Sequence, residues 1–174
     1  AALLQQMLSA ANNLSDFLSK QSPTLSLPWV KGERTKEQFL AMRAFDIWAH
    51  DQDVRIAIGA PRNLMSNPGK DAAQRMLGTL PFIWGKKMGI PADESLKLVF
   101  TGPDIDGTLF IATGPEDKAA FVSEPTGEIT HIEISWADFV NGYCGRVDPD
   151  VTANRVTGSG PRVQEFLNAL ASTP

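Results

Sequence analysis

The spacing of apolar residues changes rhythm near residue 93, and returns to the helical period in two short stretches beyond residue 135. Before that point apolar positions recur every three or four residues, the mark of amphipathic helices; after it they alternate, the mark of half-buried strands. Leu4, Met7, Leu8, Ala11, Leu14, Phe17 and Leu18 keep the helical period through Lys20, and Ser22-Pro23 ends it. This helix has neither an initiator methionine nor a capping residue ahead of its first apolar turn, so the expectation is that an upstream segment has been removed. Residues 22–32 read as a loop, with Trp29 after Pro28 expected to lid the core rather than line a site.

The next helix organises the rest. Thr35 followed three residues later by Gln38 forms a capping box, and Gly59-Ala60-Pro61 supplies the stop. On a wheel of ~100° per residue, Asp46, His50 and Asp53 fall in line with Phe39 and Ala57, and Arg43 stands beside them. Leu40, Ile47, Val54 and Ile58 flank that line on one side, and Met42, Phe45, Ala49 and Ile56 on the other. Asp51, Gln52 and Arg55 occupy the opposite face, expected to be solvated. An unpaired charge turned toward a core costs several kcal/mol, so a polar stripe inside an apolar arc is expected to satisfy itself, bind a ligand or hold a metal. An Asp and a His four residues apart bring one oxygen and one nitrogen donor over the same spot, half of a mononuclear zinc-type site. The same spacing also makes an ordinary hydrogen-bonded pair. The metal and enzymatic readings rest on burial: both side chains standing in open water on the outside of the helix would remove those readings and leave only the architecture. Two antiparallel helices cannot enclose the stripe, so further helices are expected from upstream, from the rest of the chain, or from a second copy.

A third helical segment starts at Asn67-Pro68, read as cap and first turn, and carries Ala72, Met76, Leu77 and Leu80; Pro81 is expected to kink it before Ile83, Trp84 and Met88. Strands follow around Leu96, Leu98 and Phe100, over 108–113, over 118–123 and over 129–134, separated by Gly/Pro turns and read as an antiparallel meander. Ser135, three residues before Asp138, caps a short helix with Phe139, Val140 and Tyr143; residues 154–157 read as a last strand, and Val163, Phe166, Leu167 and Leu170 as a closing helix. The class is α+β, with a sheet covered on one face by helices.

Composition excludes more than it assigns. At 174 residues, 43% hydrophobic and 21% charged, the chain is globular rather than disordered. A net charge of -4, with no basic cluster longer than Lys86-Lys87, speaks against nucleic acid as a partner. No apolar run reaches the ~18 residues of a membrane span and no secretory signal is visible, so no membrane role is expected and cytoplasm is the default. Cys144, the one cysteine, excludes an internal disulfide and reads as a small buried residue rather than a reactive thiol. GxSxG, P-loop, GxGxxG and CxxC motifs are absent. Gly158-Ser159-Gly160 reads as a loop with a capping serine, and His131 as a strand-rim residue.

The run from Arg43 to Arg55, RAFDIWAHDQDVR, followed by Ala57-Ile58-Gly59-Ala60-Pro61, resembles the signature helix of the mycothiol-dependent maleylpyruvate isomerase family in the DinB-like metal-binding superfamily. FVNGYCGR over residues 139–146, and Val156-Thr157-Gly158, resemble the end of that family's sterol-carrier-like carboxy-terminal domain. The resemblance implies a long antiparallel helix pair, as a partial DinB-like bundle over residues 1–62, a linking helix over 63–92, and a sterol-carrier-like α/β domain over 93–174. It implies Asp46 and His50 as two ligands of a divalent metal, with zinc first, the family's third ligand lying on a helix this chain lacks. Aspartate stands where the better-known isomerases have glutamate, one methylene longer. Mycothiol is the implied thiol cofactor, and the partners are that small-molecule thiol and a small acidic substrate. Arg146, with Arg43 as the alternative, would pair with the substrate carboxylate, and Asp53 would orient His50 or a bound water. The activity so implied is isomerisation or thiol transfer by an amino-terminally shortened chain. Two rivals stand beside it: a non-catalytic carrier of a small apolar ligand in the α/β domain, and an assembly fragment that self-associates to complete the bundle.

Overall fold

The computed structural model describes residues 2–29 and 32–172. The chain divides into two compact units, Ala1–Asp51 and Gln52–Pro174, with the division inside a continuous helix.

In the first unit, α1 (Ala2–Ser19) runs to the stop expected at Ser22-Pro23. Residues expected as a loop instead form a small antiparallel hairpin of β1 (Ser26–Trp29) and β2 (Gly32–Thr35), with Leu27 opposite Arg34 and Pro28 opposite Glu33. A proline is tolerated there because a two-stranded ribbon is all edge. The side chain of Trp29, expected as a lid, lies outside the described residues. The capping box forms: Gln38 N–H donates to Thr35 Oγ1 at 3.3 Å and Thr35 N–H to Gln38 Oε1 at 3.2 Å, opening α2 (Lys36–Ala57). Lys36 Nζ donates to the carbonyls of Leu18 and Gln21, at 3.1 and 2.7 Å, so a cation meets the negative end of the α1 dipole. That is nearly all that α1 is given. Leu18 is its one buried residue, and its apolar face is not laid along α2 as the antiparallel-pair expectation required.

The second unit holds a closed core. After the last turns of α2 comes α3 (Asn67–Gly78), whose cap is Ser66 rather than Asn67: the Ser66 hydroxyl accepts from Gly69 N–H at 3.3 Å. The kink expected at Pro81 is a π-helical turn, Phe82–Lys87, closed by Met88 N–H onto the Ile83 carbonyl at 3.0 Å. It delivers Ile83 and Trp84, both fully buried, and Trp84 packs on Phe166 with ring centroids 6.5 Å apart. Residues 63–92 lie wholly within this unit.

The sheet consists of β3 (Glu94–Thr101), β4 (Gly107–Thr113), β5 (Ala119–Val122), β6 (Glu128–Ser135) and β7 (Thr157–Ser159), in the order β5-β4-β3-β6-β7. An antiparallel meander was expected; the first three strands obey it, but β6 crosses to the far side of β3 and pairs with it in parallel, Leu96 beside Thr130 and Leu98 beside Ile132. Gly127 shows why. Its φ is +67, and a Cβ there would stand 1.7 Å from the Asp93 carbonyl oxygen, so the chain passes hard against the start of β3 and Glu128 N–H locks onto that same carbonyl at 2.8 Å. The last strand sits at 157–159, a little beyond the expected 154–157, and α5 (Pro149–Ala153) fills the expected loop.

Leu96, Leu98, Phe100, Ile132 and Ile134 point to one face of the sheet. That face meets α4 (Trp136–Tyr143) through a stack in which Trp136 and Phe139 lie 5.2 Å apart with Phe100 edge-to-face to both, and α6 (Val163–Leu170) packs through Phe166 on Trp84. The expected cap of α4 is present, Asp138 N–H donating to Ser135 Oγ at 3.0 Å. The observed class is therefore mixed α+β, with a mixed rather than antiparallel sheet.

Candidate functional site

Helix geometry alone brings the candidate pair of the first unit together. Asp46 and His50 are one turn apart on α2, and Asp46 Oδ1 lies 3.6 Å from His50 Nε2. Asp46 Oδ2 is held by Arg43 Nη1 at 2.8 Å. All three side chains are largely in water: Arg43 is 45% exposed, Asp46 44% and His50 62%. The expected burial of this stripe is not found. The residues of α2 that are buried in the first unit are Phe45, Trp48 and Ala49, with the Phe45 and Trp48 rings 6.1 Å apart, while Leu40 and Ile47 are exposed. The helix has turned by roughly a third of a revolution from the face that aliphatic counting selected, because its two large aromatics go inside.

Gln52 shows the same rotation. Expected on the solvated face, it is 2% exposed, and its amide is satisfied by Asn63 in both directions: Nε2 donates to Asn63 Oδ1 at 2.7 Å and Oε1 accepts from Asn63 N–H at 3.3 Å.

Two ligand atoms of a tetrahedral zinc ion stand roughly 3.3 Å apart when each bond is about 2.0–2.1 Å. A separation of 3.6 Å between Asp46 Oδ1 and His50 Nε2 thus fits two corners of such a site with little adjustment. The rest of a coordination sphere is not supplied: among the described residues no group of three or more His, Cys, Asp and Glu side chains is placed to hold an ion. The pair is a half-site.

Asp53 and Arg146, expected as orienter and substrate clamp, face each other in the second unit. Arg146 Nε and Nη2 donate to the two Asp53 oxygens at 3.0 and 2.9 Å, and Nη1 donates to the Cys144 carbonyl at 2.6 Å. The guanidinium fork is filled by a carboxylate of the same chain, in the bidentate geometry arginine favours. This contact ties the carboxyl end of α2 to the segment after α4. Cys144 is buried, 3% exposed.

Sequence reasoning did not single out Arg62. It follows the helix stop, donates to Asn141 Oδ1 at 3.1 Å, and has its pKa lowered by burial, opposed by the fields of Cys144, Asp104, Asp53 and Asp138. A lone loop cation carries no pattern that would have flagged it. Nor did the sequence flag Tyr143, whose hydroxyl lies 2.9 Å from Thr79 Oγ1 and whose burial pushes the phenol pKa up. Tyr143 and Thr79, with Arg75, Phe82 and Lys87, line an open groove of about 730 Å³. Lys87 Nζ spans the Ala169 and Ala171 carbonyls at the end of α6, at 2.7 and 2.6 Å. Arg162 clamps Glu94 bidentately at 2.9 Å and also reaches Glu165 at 3.0 Å, which holds the Glu94 carboxyl below its ordinary value. His131 lies on β6 between Lys97 of β3 and Ser159 of β7, part-buried rather than at the surface or rim expected of it, its Nε2 enclosed and 3.4 Å from Glu133 Oε1.

No family model, curated protein or solved structure matches the chain. No helix among the described residues is long and apolar enough to cross a membrane.

Proposed function

We propose that this chain is part of a metal-dependent, mycothiol-using isomerase or thiol transferase of the maleylpyruvate isomerase type, with Asp46 and His50 contributing two donors to a divalent ion. The observation that carries the reading is the 3.6 Å approach of a carboxylate oxygen and an imidazole nitrogen on one helical turn. The RAFDIWAHDQDVR run around them adds the resemblance in sequence. Burial counts against it: both side chains are open to solvent, the arrangement expected to remove the reading, and the approach of the two donors with the sequence run is what stands in its favour. When bound, a divalent ion with an open position supplies a lowered thiol pKa and hence a thiolate nucleophile. In this reading Asp46 and His50 hold, Arg43 keeps the Asp46 carboxylate turned along the helix, and the remaining donors come from outside the described residues. The activity belongs in the cytoplasm, where a low-molecular-weight thiol is kept reduced.

Equilibrium dialysis against zinc tests it. Wild-type chain is expected to retain zinc with an affinity that falls about tenfold or more in His50→Ala and in Asp46→Asn. Equal retention by all three chains overturns it.

A second reading has one observation in its favour: the 730 Å³ groove beside Tyr143 and Phe82 is of the size that holds a small ligand. It makes the second unit a carrier of a small apolar molecule. Organic extraction of purified protein, followed by mass spectrometry, would recover that molecule stoichiometrically and lose it in Phe82→Asp; a clean extract removes the reading.

A further inference from the structure

Two grooves adjoin on the second unit, and Phe82 is the wall they share. The larger, of about 730 Å³, is bounded by Arg75 and Lys87; the smaller, of about 470 Å³, is lined by Gly85 and Ala119. The π-helical turn Phe82–Lys87 shapes both. It sends Ile83 and Trp84 fully inward, while Phe82, one residue earlier, stays 54% exposed. Gly85 lies so close to β5 that a Cβ there would stand 2.7 Å from the Ala119 Cβ, so two residues without bulk leave room beside the phenylalanine ring.

The charge along these walls is one-sided. Arg75 and Lys87 line the larger groove, Lys86 and Lys118 the smaller, and among the described residues no aspartate or glutamate lines either, in a chain with 20 acidic residues against 16 basic. Glu116 answers Lys118 at 2.6 Å, which leaves the excess at the Arg75 and Lys87 end. Lys87 spends two of its three N–H groups on the Ala169 and Ala171 carbonyls, neutral acceptors that leave its charge in place. The neighbouring hydroxyl protons are used within the protein. Thr79 Oγ1 donates to the Met76 carbonyl at 2.8 Å, so in the 2.9 Å contact between Thr79 and Tyr143 the phenol is the donor. The charged donors of the larger groove are then what selects a ligand's polar group.

We propose that the paired grooves hold an organic acid with an apolar body, its carboxylate, sulfonate or phosphate group at the Arg75 and Lys87 end and its body lying over Phe82 toward Gly85 and Ala119. This ligand class rests on the carrier reading of the same groove and adds to it a required negative charge. The Phe82 ring and the carbon stems of Lys86 and Lys118 cover apolar surface, while guanidinium and ammonium answer the acid. A neutral cargo would gain nothing from either cation.

Two dyes of nearly the same shape read the charge: 8-anilinonaphthalene-1-sulfonate, an anion, and N-phenyl-1-naphthylamine, which lacks the sulfonate. Both are titrated by fluorescence into the 174-residue chain and into Phe82→Ser. The binding that Phe82→Ser removes belongs to the groove, because dye on the exposed side chains of α1 is the same in both chains. Within that part the sulfonate dye is expected to bind about tenfold more tightly than the amine, and added salt to weaken the sulfonate dye alone. Arg75→Gln is expected to weaken the sulfonate dye about threefold or more and leave the amine unmoved, with Arg75→Lys restoring most of the difference. Equal affinity for the two dyes, both lost in Phe82→Ser, overturns the acid and leaves the carrier reading standing. Equal loss of both dyes in Arg75→Gln gives that arginine a structural role and overturns the acid as well. Binding of both dyes indifferent to Phe82→Ser overturns the acid and the carrier reading together.

Discussion

α1 and α6 are both amphipathic helices, yet they end in opposite circumstances. Phe166, Leu167 and Leu170 of α6 are all but inaccessible, sealed by the sheet and by Trp84, while Leu3, Leu4, Leu8 and Leu14 of α1 stand half or more in water. The pattern that says "one face wants covering" is equally clear in both sequences. What differs is whether the same chain supplies the cover. Apolar periodicity thus specifies a demand, and only topology decides whether it is met within the chain or left open.

Substitution sharpens this contrast, beginning where the cover is complete. Trp84→Ala empties a fully buried site between the sheet unit's helices, and urea unfolding is expected to show a loss of about 3–5 kcal/mol. Gly127→Ala is expected to cost about 2 kcal/mol or more, because positive φ and the Asp93 carbonyl both forbid a Cβ; loss of β6 amide protection in hydrogen exchange would locate the damage. Tyr143→Phe removes the bond to Thr79 and is expected to cost about 1 kcal/mol at neutral pH.

The same tyrosine carries a pH dependence. Its folded pKa lies above the ordinary value of 10.0, so the folded chain holds the phenolic proton more tightly than the unfolded one. That stability is intact below about pH 10 and is lost as pH rises through the unfolded value toward the folded one. Thermal unfolding between pH 9 and pH 11 is expected to show a steeper alkaline decline in wild type than in Tyr143→Phe. Smallest of all, Leu4→Ser on α1 is expected to change stability by less than about 0.5 kcal/mol. A large effect there would mean that α1 is covered after all, and the contrast would fall.

How far the sequence carried the reading follows from the range of the interactions involved. The α1 stop, the Thr35/Gln38 box, the Ser135 cap and the i,i+4 approach of Asp46 to His50 are set by neighbours within a few residues, and all were legible. The inward face of α2 was not. Counting aliphatics passed over Trp48, and Gln52 goes inside because Asn63, eleven residues away, answers its amide. The parallel pairing of β6 with β3 escaped for a similar reason: alternation announces a strand but says nothing of its neighbour, and the Gly/Pro turn before β6 looks like that of a hairpin. The Asp53–Arg146 pair joins positions 93 apart in sequence, which no local pattern encodes. The metal expectation rests on the half-site and on resemblance, and zinc dialysis is the measurement that reaches it; the mycothiol expectation rests on resemblance alone.

The crossing of β6 has a consequence for how the chain is made. As synthesis proceeds from the amino terminus, β3, β4 and β5 emerge as a complete hairpin set, and β3 presents a bare row of amides and carbonyls until residues 128–135 arrive to occupy it. A nascent chain stalled before that point offers a sticky β-edge to its neighbours on the polysome, and a ready acceptor for strand 128–135 of another molecule.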